Sequence, residues 1–593
     1  MTEQRQNPRL APVFNAQEAI ALSLPGQSDA LSECFLPVLR HFRDTSYHTI
    51  VEPGRRFLDE FLETFLTLFT KVDYLPSERH RTEFVRLNAT ISNLVALSRF
   101  KTTDAYLSQF GTGPVDLAKR LALTSARNSV AIDRASFFDA DPVLACAWYS
   151  AYAELYRAGL LDPVVWKNLQ EHFAFEDDRL DVRHLPMIAY FASTYVGKSR
   201  DRIVRSIINR SWKTVAEPLQ RQVRNRPNPR KIAVLSSGWS PGHSAYRITK
   251  AFVEALAGYH VTFVPLGTRG GLDLSVFQEV KTLDVDRDGV IDIRALLDND
   301  FIVAYYPDVG LAPQSVLLTN LRLAPIQVAS LGHSVSTWGA EIDYFVSGAQ
   351  VEPTDNPARN YSERLVLLPG LGVVHEPPKY ERQGRAKPGS ELILNCPWNA
   401  QKVNYPLGLA LRELIQRSSR AIRLRLYTSG SLNRQNDYLP FVRDLESMLG
   451  ASSVEVLRDL PYHEYMARME EGDFCLDSYP FGGCNVVVDS LFLRKLIVCR
   501  EGDLWYNRIG PAMLRRVGLP ELVATSEDEY LRIILRLIHD DAHRAELQDR
   551  LDRADLNATI LDRSEAQAFR RAIEMLIANH AILSKNNNGP TNG

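Results

Sequence analysis

Asn485 stands where a short apolar run gives way to an apolar helix pattern, in Asp473–Cys499, DFCLDSYPFGGCNVVVDSLFLRKLIVC. The run FCLD leads into Pro480-Phe481-Gly482-Gly483, and Cys484-Asn485 open the helix. Glycines at such a turn let backbone amides approach an anion at the positive end of a helix. Asparagine is also a favoured helix N-cap. Asp489 falls one turn inside the same helix, within reach of a ribose hydroxyl. The bare pattern is shared with any capped β-turn-α unit, because a Gly-Gly pair is less than the full glycine-rich fingerprint. Lys402, in NCPWNAQKVNY (Asn395–Tyr405), follows an earlier strand of the same series, where a lysine can neutralise a diphosphate or be solvated. His243 opens an amphipathic helix after SSGWSPG (Ser236–Gly242), a loop long and rich in Gly, Ser and Pro for its kind. A histidine there is biased towards its neutral form, and could serve as a base, a donor or a cap. His333, in IQVASLGHSVSTWG (Ile326–Gly339), also sits just past a strand and a glycine.

One motif works against these. Asp284–Ile291 (DVDRDGVI) copies the start of an EF-hand loop, but the twelfth position is Ala295, where a bidentate Glu is required. A polar turn is the expectation, and no metal site is assigned to it or to any other segment.

The elements that must position these residues follow from hydrophobic periodicity. Lys231–Ser236, His260–Leu266, Phe301–Tyr306 and Ile326–Leu331 read as strands, with a helix at His243–Leu256, which makes a βαβ unit and a parallel sheet. A second series begins at Glu391, with strands at Ile422–Thr428, Val454–Leu457, Phe474–Asp477 and Leu496–Cys499 and helices between. Before both, about the first 210 residues are helical in pattern. Arg55–Lys71 there sets Phe57, Phe61, Phe65 and Leu68 on one face, and no 34-residue repeat is present. Arg221–Arg230 (RQVRNRPNPR) reads as a linker or solvated turn. The expected domains are an all-α region over 1–228, a Rossmann-like domain over 229–380, a second over 381–584 with C-terminal helices, and a disordered tail over 585–593.

Composition excludes several classes. The 593 residues carry 69 Lys+Arg against 71 Asp+Glu, a net charge of −2, which is no polycation for nucleic acid or anionic membrane. There is no membrane-span pattern and no secretion-signal h-region, and the six cysteines form no C-x-x-C pair. A cytoplasmic protein is the expectation.

Five segments together carry a resemblance: SSGWSPGHSAYR, APIQVASLGHSVSTWGAEIDYFVSG, NCPWNAQKVN, LPYHEYMARMEEGDFCLDSYPFGGCNVVVDSL and EGDLWYNRIGPAMLRRVGL. In this order, over about Arg230–Asp540, they resemble O-GlcNAc transferases and bacterial cytoplasmic N-glycosyltransferases, glycosyltransferase family 41. Lacking tetratricopeptide repeats, the chain is more similar to the adhesin-modifying N-glycosyltransferases, with their compact all-α N-terminal domain.

The resemblance implies an α/β fold of the GT-B type, two facing Rossmann-like domains preceded by an all-α domain. It implies an inverting, metal-independent transfer of a hexose, glucose or galactose, from a UDP-sugar to Asn in N-x-S/T sequons, with no cofactor beyond the donor. The implied partners are the UDP-hexose and a polypeptide, such as an adhesin before export; no nucleic acid is involved. Lys402 would grip the diphosphate with Asn399 beside it, Asn485 would meet the diphosphate and Asp489 the ribose. His463 or Tyr465 would lie against uracil, and His243 would face donor sugar and acceptor. One departure stands out: the N-glycosyltransferases usually have Asn-Thr-Asn-Gly where this chain reads Gly483-Cys484-Asn485-Val486, with less hydrogen-bonding capacity near phosphate or sugar. O-glycosylation of the O-GlcNAc type and a catalytically weakened sugar-nucleotide-binding scaffold are the alternatives.

Overall fold

The computed structural model describes residues 13–24, 26–45, 49–111, 114–181, 188–267, 270–286, 290–332, 335–384, 389, 391–428 and 437–585. The chain divides into two compact units. One is Met1–Ala192 with Asn399–Gly408 and Thr428–Ala451; the other is Ser193–Trp398, Leu409–Tyr427 and Ser452–Gly593.

The first unit is helical. The phenylalanine stripe forms the helix Glu52–Phe69, with Phe61, Phe65 and Leu68 buried and Phe57 at the edge of the core. Its rings continue into neighbouring helices: Phe65 lies 5.1 Å from Phe35 and Phe69 lies 4.9 Å from Phe84, both edge-on, the orientation that aromatic quadrupoles favour. Two helices start on the same device. Asp141 and Asp162 accept first-turn amides while Pro142 and Pro163 occupy the positions that need no donor. The helix Tyr438–Leu449 joins this unit through Asn93 Nδ2, which donates to Asp437 Oδ1 at 2.9 Å, and through Arg127 on Asp444 at 3.2 Å.

The second unit holds both sheets. In chain order the strands of the first are β1 (Arg224–Ser236), β2 (His260–Pro265) and β3 (Glu279–Val280). After the small antiparallel hairpin β4 (Asp284–Val285) and β5 (Ile291–Asp292) come β6 (Asp298–Tyr306), β7 (Ile326–Ala329), β8 (Tyr344–Gly348) and β9 (Arg364–Leu368). The order β3-β2-β1-β6-β7-β8-β9 is parallel throughout. The second sheet runs β12 (Val454–Arg458), β11 (Ile422–Thr428), β10 (Leu392–Cys396), β13 (Phe474–Leu476), β14 (Ile497–Arg500), β15 (Val523–Ala524), with β10 parallel to both β11 and β13. The chain reverses direction across each sheet between β1 and β6 and between β10 and β13. Those switch points open crevices beyond the carboxyl ends of the strands.

The basic segment read as a linker is instead the start of β1. Pro227 and Pro229 lack amide donors, so pairing with β6 survives there only with register shifts at Asn225/Asn228 and Asn228/Ile232. Asn225 bridges the gap, donating to Asn299 Oδ1 and to the carbonyls of Phe301 and Leu323.

The helix Ser564–Lys585 packs on the first sheet, its Phe569 stacked on Phe252 at 4.5 Å and 12° and lying 5.0 Å from Tyr305. Buried Glu565 at its start accepts from the Leu371 and Gly372 amides at 2.9 Å each and from Arg516 of the second lobe at 3.0 Å. No described helix is long and apolar enough to cross a membrane.

Candidate active site

His243 is the N-cap of the helix Ser244–Glu254, its Nδ1 accepting the Ala245 amide at 3.1 Å. An Nδ1 lone pair used this way leaves the proton of a neutral ring on Nε2, so the imidazole presents a donor. Burial lowers its pKa, opposed by the nearby carboxylate of Asp308. Asp308, buried just past β6, ties down the loop that delivers the histidine: it accepts from the Ser236 hydroxyl, from the Ser237 amide at 3.0 Å and from the Gly238 amide at 3.3 Å. Gly238 must be glycine here, since a Cβ would lie 2.3 Å from His243 Nδ1.

Asn485 is not the N-cap that its type suggests. It is the first residue of the helix Asn485–Phe492; Cys484 holds the cap position, and no side chain caps the turn. The Asn485 and Val486 amides have no acceptor among the described residues. The Asn485 side chain reaches out of the helix, with Nδ2 donating to the Ser244 carbonyl at 3.0 Å and Oδ1 facing His375 Nδ1 at 3.3 Å. The two helix starts that carry His243 and Asn485 therefore meet, one from each lobe. His375 is buried and its pKa falls to about 3, first through burial and then through Arg247. Cys484 Sγ lies 3.9 Å from its Nε2.

The glycines before this helix serve packing more than anion contact. Gly482 N–H donates to Tyr506 O at 3.0 Å and Gly483 N–H to Asp477 Oδ1 at 2.8 Å. A Cβ on Gly483 would lie 2.3 Å from Val486 Cγ2. An anion at this turn would meet the helix amides instead.

Asp489 lies one turn on, 2% exposed, and already has partners. Arg247 donates to it at 2.8 and 3.3 Å, and the Tyr462 hydroxyl at 2.9 Å. Arg247 also lies 5.5 Å from the Tyr462 ring centroid. Burial disfavours the guanidinium's charge, but Asp489 more than offsets this and raises its pKa. Tyr465 sits behind Tyr462, ring centroids 6.0 Å apart, its buried hydroxyl without a partner among the described residues. His463 turns away, exposed and packed against Tyr380 at 5.1 Å.

His243, Asn485, Asp489 and Tyr465 thus form one cluster, and His463 does not join it. Asn399 and half-buried Lys402 belong to the first unit, flanking and closing the turn Ala400–Lys402, where Lys402 N–H donates to Asn399 O at 2.9 Å. His333 lies outside the described residues. Among the described residues no group of three or more His, Cys, Asp or Glu is placed to hold a metal ion. Arg247, Asp308, His375 and Tyr462 were missed in the sequence. Only Arg247 carried a signal, since it stands four residues after His243 and shares its helix face.

Two parallel, Rossmann-like lobes whose switch-point loops converge on one cluster define the GT-B glycosyltransferase fold. The same fold is seen in a mutant O-GlcNAc transferase of Thermobaculum terrenum, with TM-score 0.60 at 18% identity over 96% of this chain and 97% of that one. In sequence the chain is related to a UDP-glucose:protein N-beta-glucosyltransferase of Actinobacillus pleuropneumoniae serotype 5b. The two are 27% identical over 339 residues, 54% of this chain and 53% of the relative. It is also related to a probable UDP-N-acetylglucosamine–peptide N-acetylglucosaminyltransferase of Hordeum vulgare, 25% identical over 262 residues, 43% of this chain and 27% of that one. The chain spans about half or less of the length of the curated relatives it matches. No protein-family model matches it.

Proposed function

We propose that the chain is an inverting glycosyltransferase that moves a hexose, glucose in the first instance, from a UDP-sugar to asparagine in N-x-S/T sequences of polypeptides. The observation that carries this reading is the meeting of the His243 and Asn485 helix starts, joined by Asn485 Nδ2 on Ser244 O. The names of the bacterial relatives point to the same chemistry. In this reading the anomeric carbon–oxygen bond to UDP breaks as the acceptor nitrogen attacks from the opposite face. The amide proton passes to a phosphate oxygen of the donor.

Charge develops on the leaving diphosphate. The Asn485 and Val486 amides, at the positive end of a helix, suit that charge, and Lys402 is assigned to it on the sequence resemblance. No metal is needed in this scheme. His243, holding its proton on Nε2, acts as a hydrogen-bond donor to sugar or phosphate rather than as the base. Asp489 takes the ribose and Tyr465 the uracil side. An exported adhesin is the acceptor that the resemblance suggests, with the reaction in the cytoplasm.

Incubation with UDP-glucose, UDP-galactose or UDP-GlcNAc and peptides bearing either N-x-T or only Ser/Thr, read by mass spectrometry, tests this. The expected result is a hexose on asparagine that is lost in Lys402→Ala. Transfer to Ser/Thr alone would support the O-linked reading that the plant relative's name suggests. UDP binding without transfer to any peptide would identify a scaffold.

A further inference from the structure

His375 is fixed to the helix that His243 begins. The residues on either side of it donate backbone amides to that helix, Val374 N–H to Ile248 O at 3.2 Å and Glu376 N–H to Arg247 O at 2.8 Å. Glu376 adds ion pairs to Lys250 of the same helix at 3.7 Å and to Arg563 at 2.8 Å. The imidazole itself is 1% exposed, so backbone and packing together set its position.

The Asn485 side chain bridges this ring and the Ser244 carbonyl, and its amide can be oriented in one way only. A carbonyl oxygen accepts, so the atom on Ser244 O at 3.0 Å is Nδ2, and Oδ1 faces His375 Nδ1 at 3.3 Å. Oδ1 also accepts only, so Nδ1 carries the ring proton and Nε2 is left as an acceptor, towards Cys484 Sγ at 3.9 Å. Burial and the charge of Arg247 keep the ring neutral, with a pKa of about 3. The first lobe thus offers one acceptor and one donor, a socket for a carboxamide. A carboxylate does not fit it, having no donor for Ser244 O. One turn on, Arg247 and Asp489 join the same two helices at 2.8 Å. A ribose on Asp489 competes with Arg247 for that carboxylate, whereas a diphosphate on the helix amides leaves the carboxamide in its socket.

We propose that His375 is a positioning residue for the sugar-nucleotide donor: its Nδ1–H seats the Asn485 side chain and so holds the Asn485 and Val486 amides against the His243 helix start, where a UDP diphosphate binds. This role rests on the UDP-sugar reading given above. Without the seat, fewer molecules hold the binding arrangement, and the apparent affinity for UDP falls in proportion.

Calorimetric titration with UDP, without acceptor, compares wild type with His375→Leu, which removes the donor, and His375→Asn, whose amide nitrogen stands in for Nδ1. Affinity is expected to fall about tenfold in His375→Leu and to stay within about threefold of wild type in His375→Asn. A residue that served only to stabilise the fold would lower the urea midpoint and leave the folded protein's UDP affinity unaltered. That result overturns the proposal, as does an equal loss of affinity in both variants. Asn485→Ala keeps the helix amides and empties the socket, so its loss and that of His375→Leu are expected not to add in the double variant; additive losses overturn the proposal. Should His375→Leu not fold, Asn485→Ala carries the test alone: about tenfold weaker UDP binding supports the socket, and unaltered binding overturns it. If wild type binds no UDP, the donor reading itself fails; if wild type and variants bind it equally well, only the role of His375 does.

Discussion

Asp489 meets three donors from two side chains, and a carboxylate has about four acceptor positions. A ribose diol binding there must share the oxygens with Arg247 and Tyr462 or displace one of them. Replacing Asp489 by Asn keeps the shape but turns one oxygen into a donor facing Arg247. UDP affinity, read by calorimetry, is expected to fall about tenfold. At Gly238 the constraint is steric. Gly238→Ala forces the imidazole of His243 off its cap, because the new methyl would lie 2.3 Å from Nδ1. Transfer is expected to drop about a hundredfold through misplacement alone, with far-UV circular dichroism unchanged. His243, Asn485 and Asp489 could be singled out in the sequence because each occupies a position defined by its own helix, and the structure places them in one cluster. Asp308 and His375 could not, because their partners stand 72 and 110 residues away, and local pattern carries no such information; for Arg247 the helix spacing pointed to the face but not to its partner 242 residues on.

Among elements, the strands legible in the sequence were those with compact apolar runs, and the bounds of Ile422–Thr428 coincide with the observed strand. The two-residue β3 and β15 offered no run to read. β9, half-exposed at a sheet edge, lacked the continuous burial of its neighbours. The prolines of β1 pointed to a linker, and only the partner strand and the Asn225 bridge explain why a strand tolerates them. In the helical unit, the helix Tyr438–Leu449 is anchored by a carboxyl in an unusual state. Burial pushes Asp437 up to about 6, against the pull of Arg157 and Asn93. A raised carboxyl favours the folded chain at low pH, and that contribution is lost as pH climbs from about 4 through 6. Asp437→Asn removes the loss. The variant is expected to match wild type at pH 4 and exceed its stability by up to about 3 kcal/mol at pH 8, measured by urea unfolding at both values.

For the molecule as a whole, the last helix decides more than its position in the chain suggests. Phe569 is fully buried between Phe252 and Tyr305 of the first lobe. Glu565 ties the backbone after β9 to Arg516 of the second. Phe569→Ala is expected to cost about 3–5 kcal/mol, seen as a lower urea midpoint for the second unit, with the near-UV signal of the phenylalanine-rich helical unit retained. From the sequence, C-terminal helices are expected within 381–584, with no indication of which sheet they cover.

That helix also sets the order in which the protein can mature. The first lobe's strands leave the ribosome roughly 200 residues before Phe569 does, which at about 5–20 residues per second is a delay on the order of 10–40 s. Through that interval the face around Phe252 and Tyr305 stays uncovered. Until then the nascent lobe is a natural client for a holding chaperone, and it closes only once Phe569 has emerged.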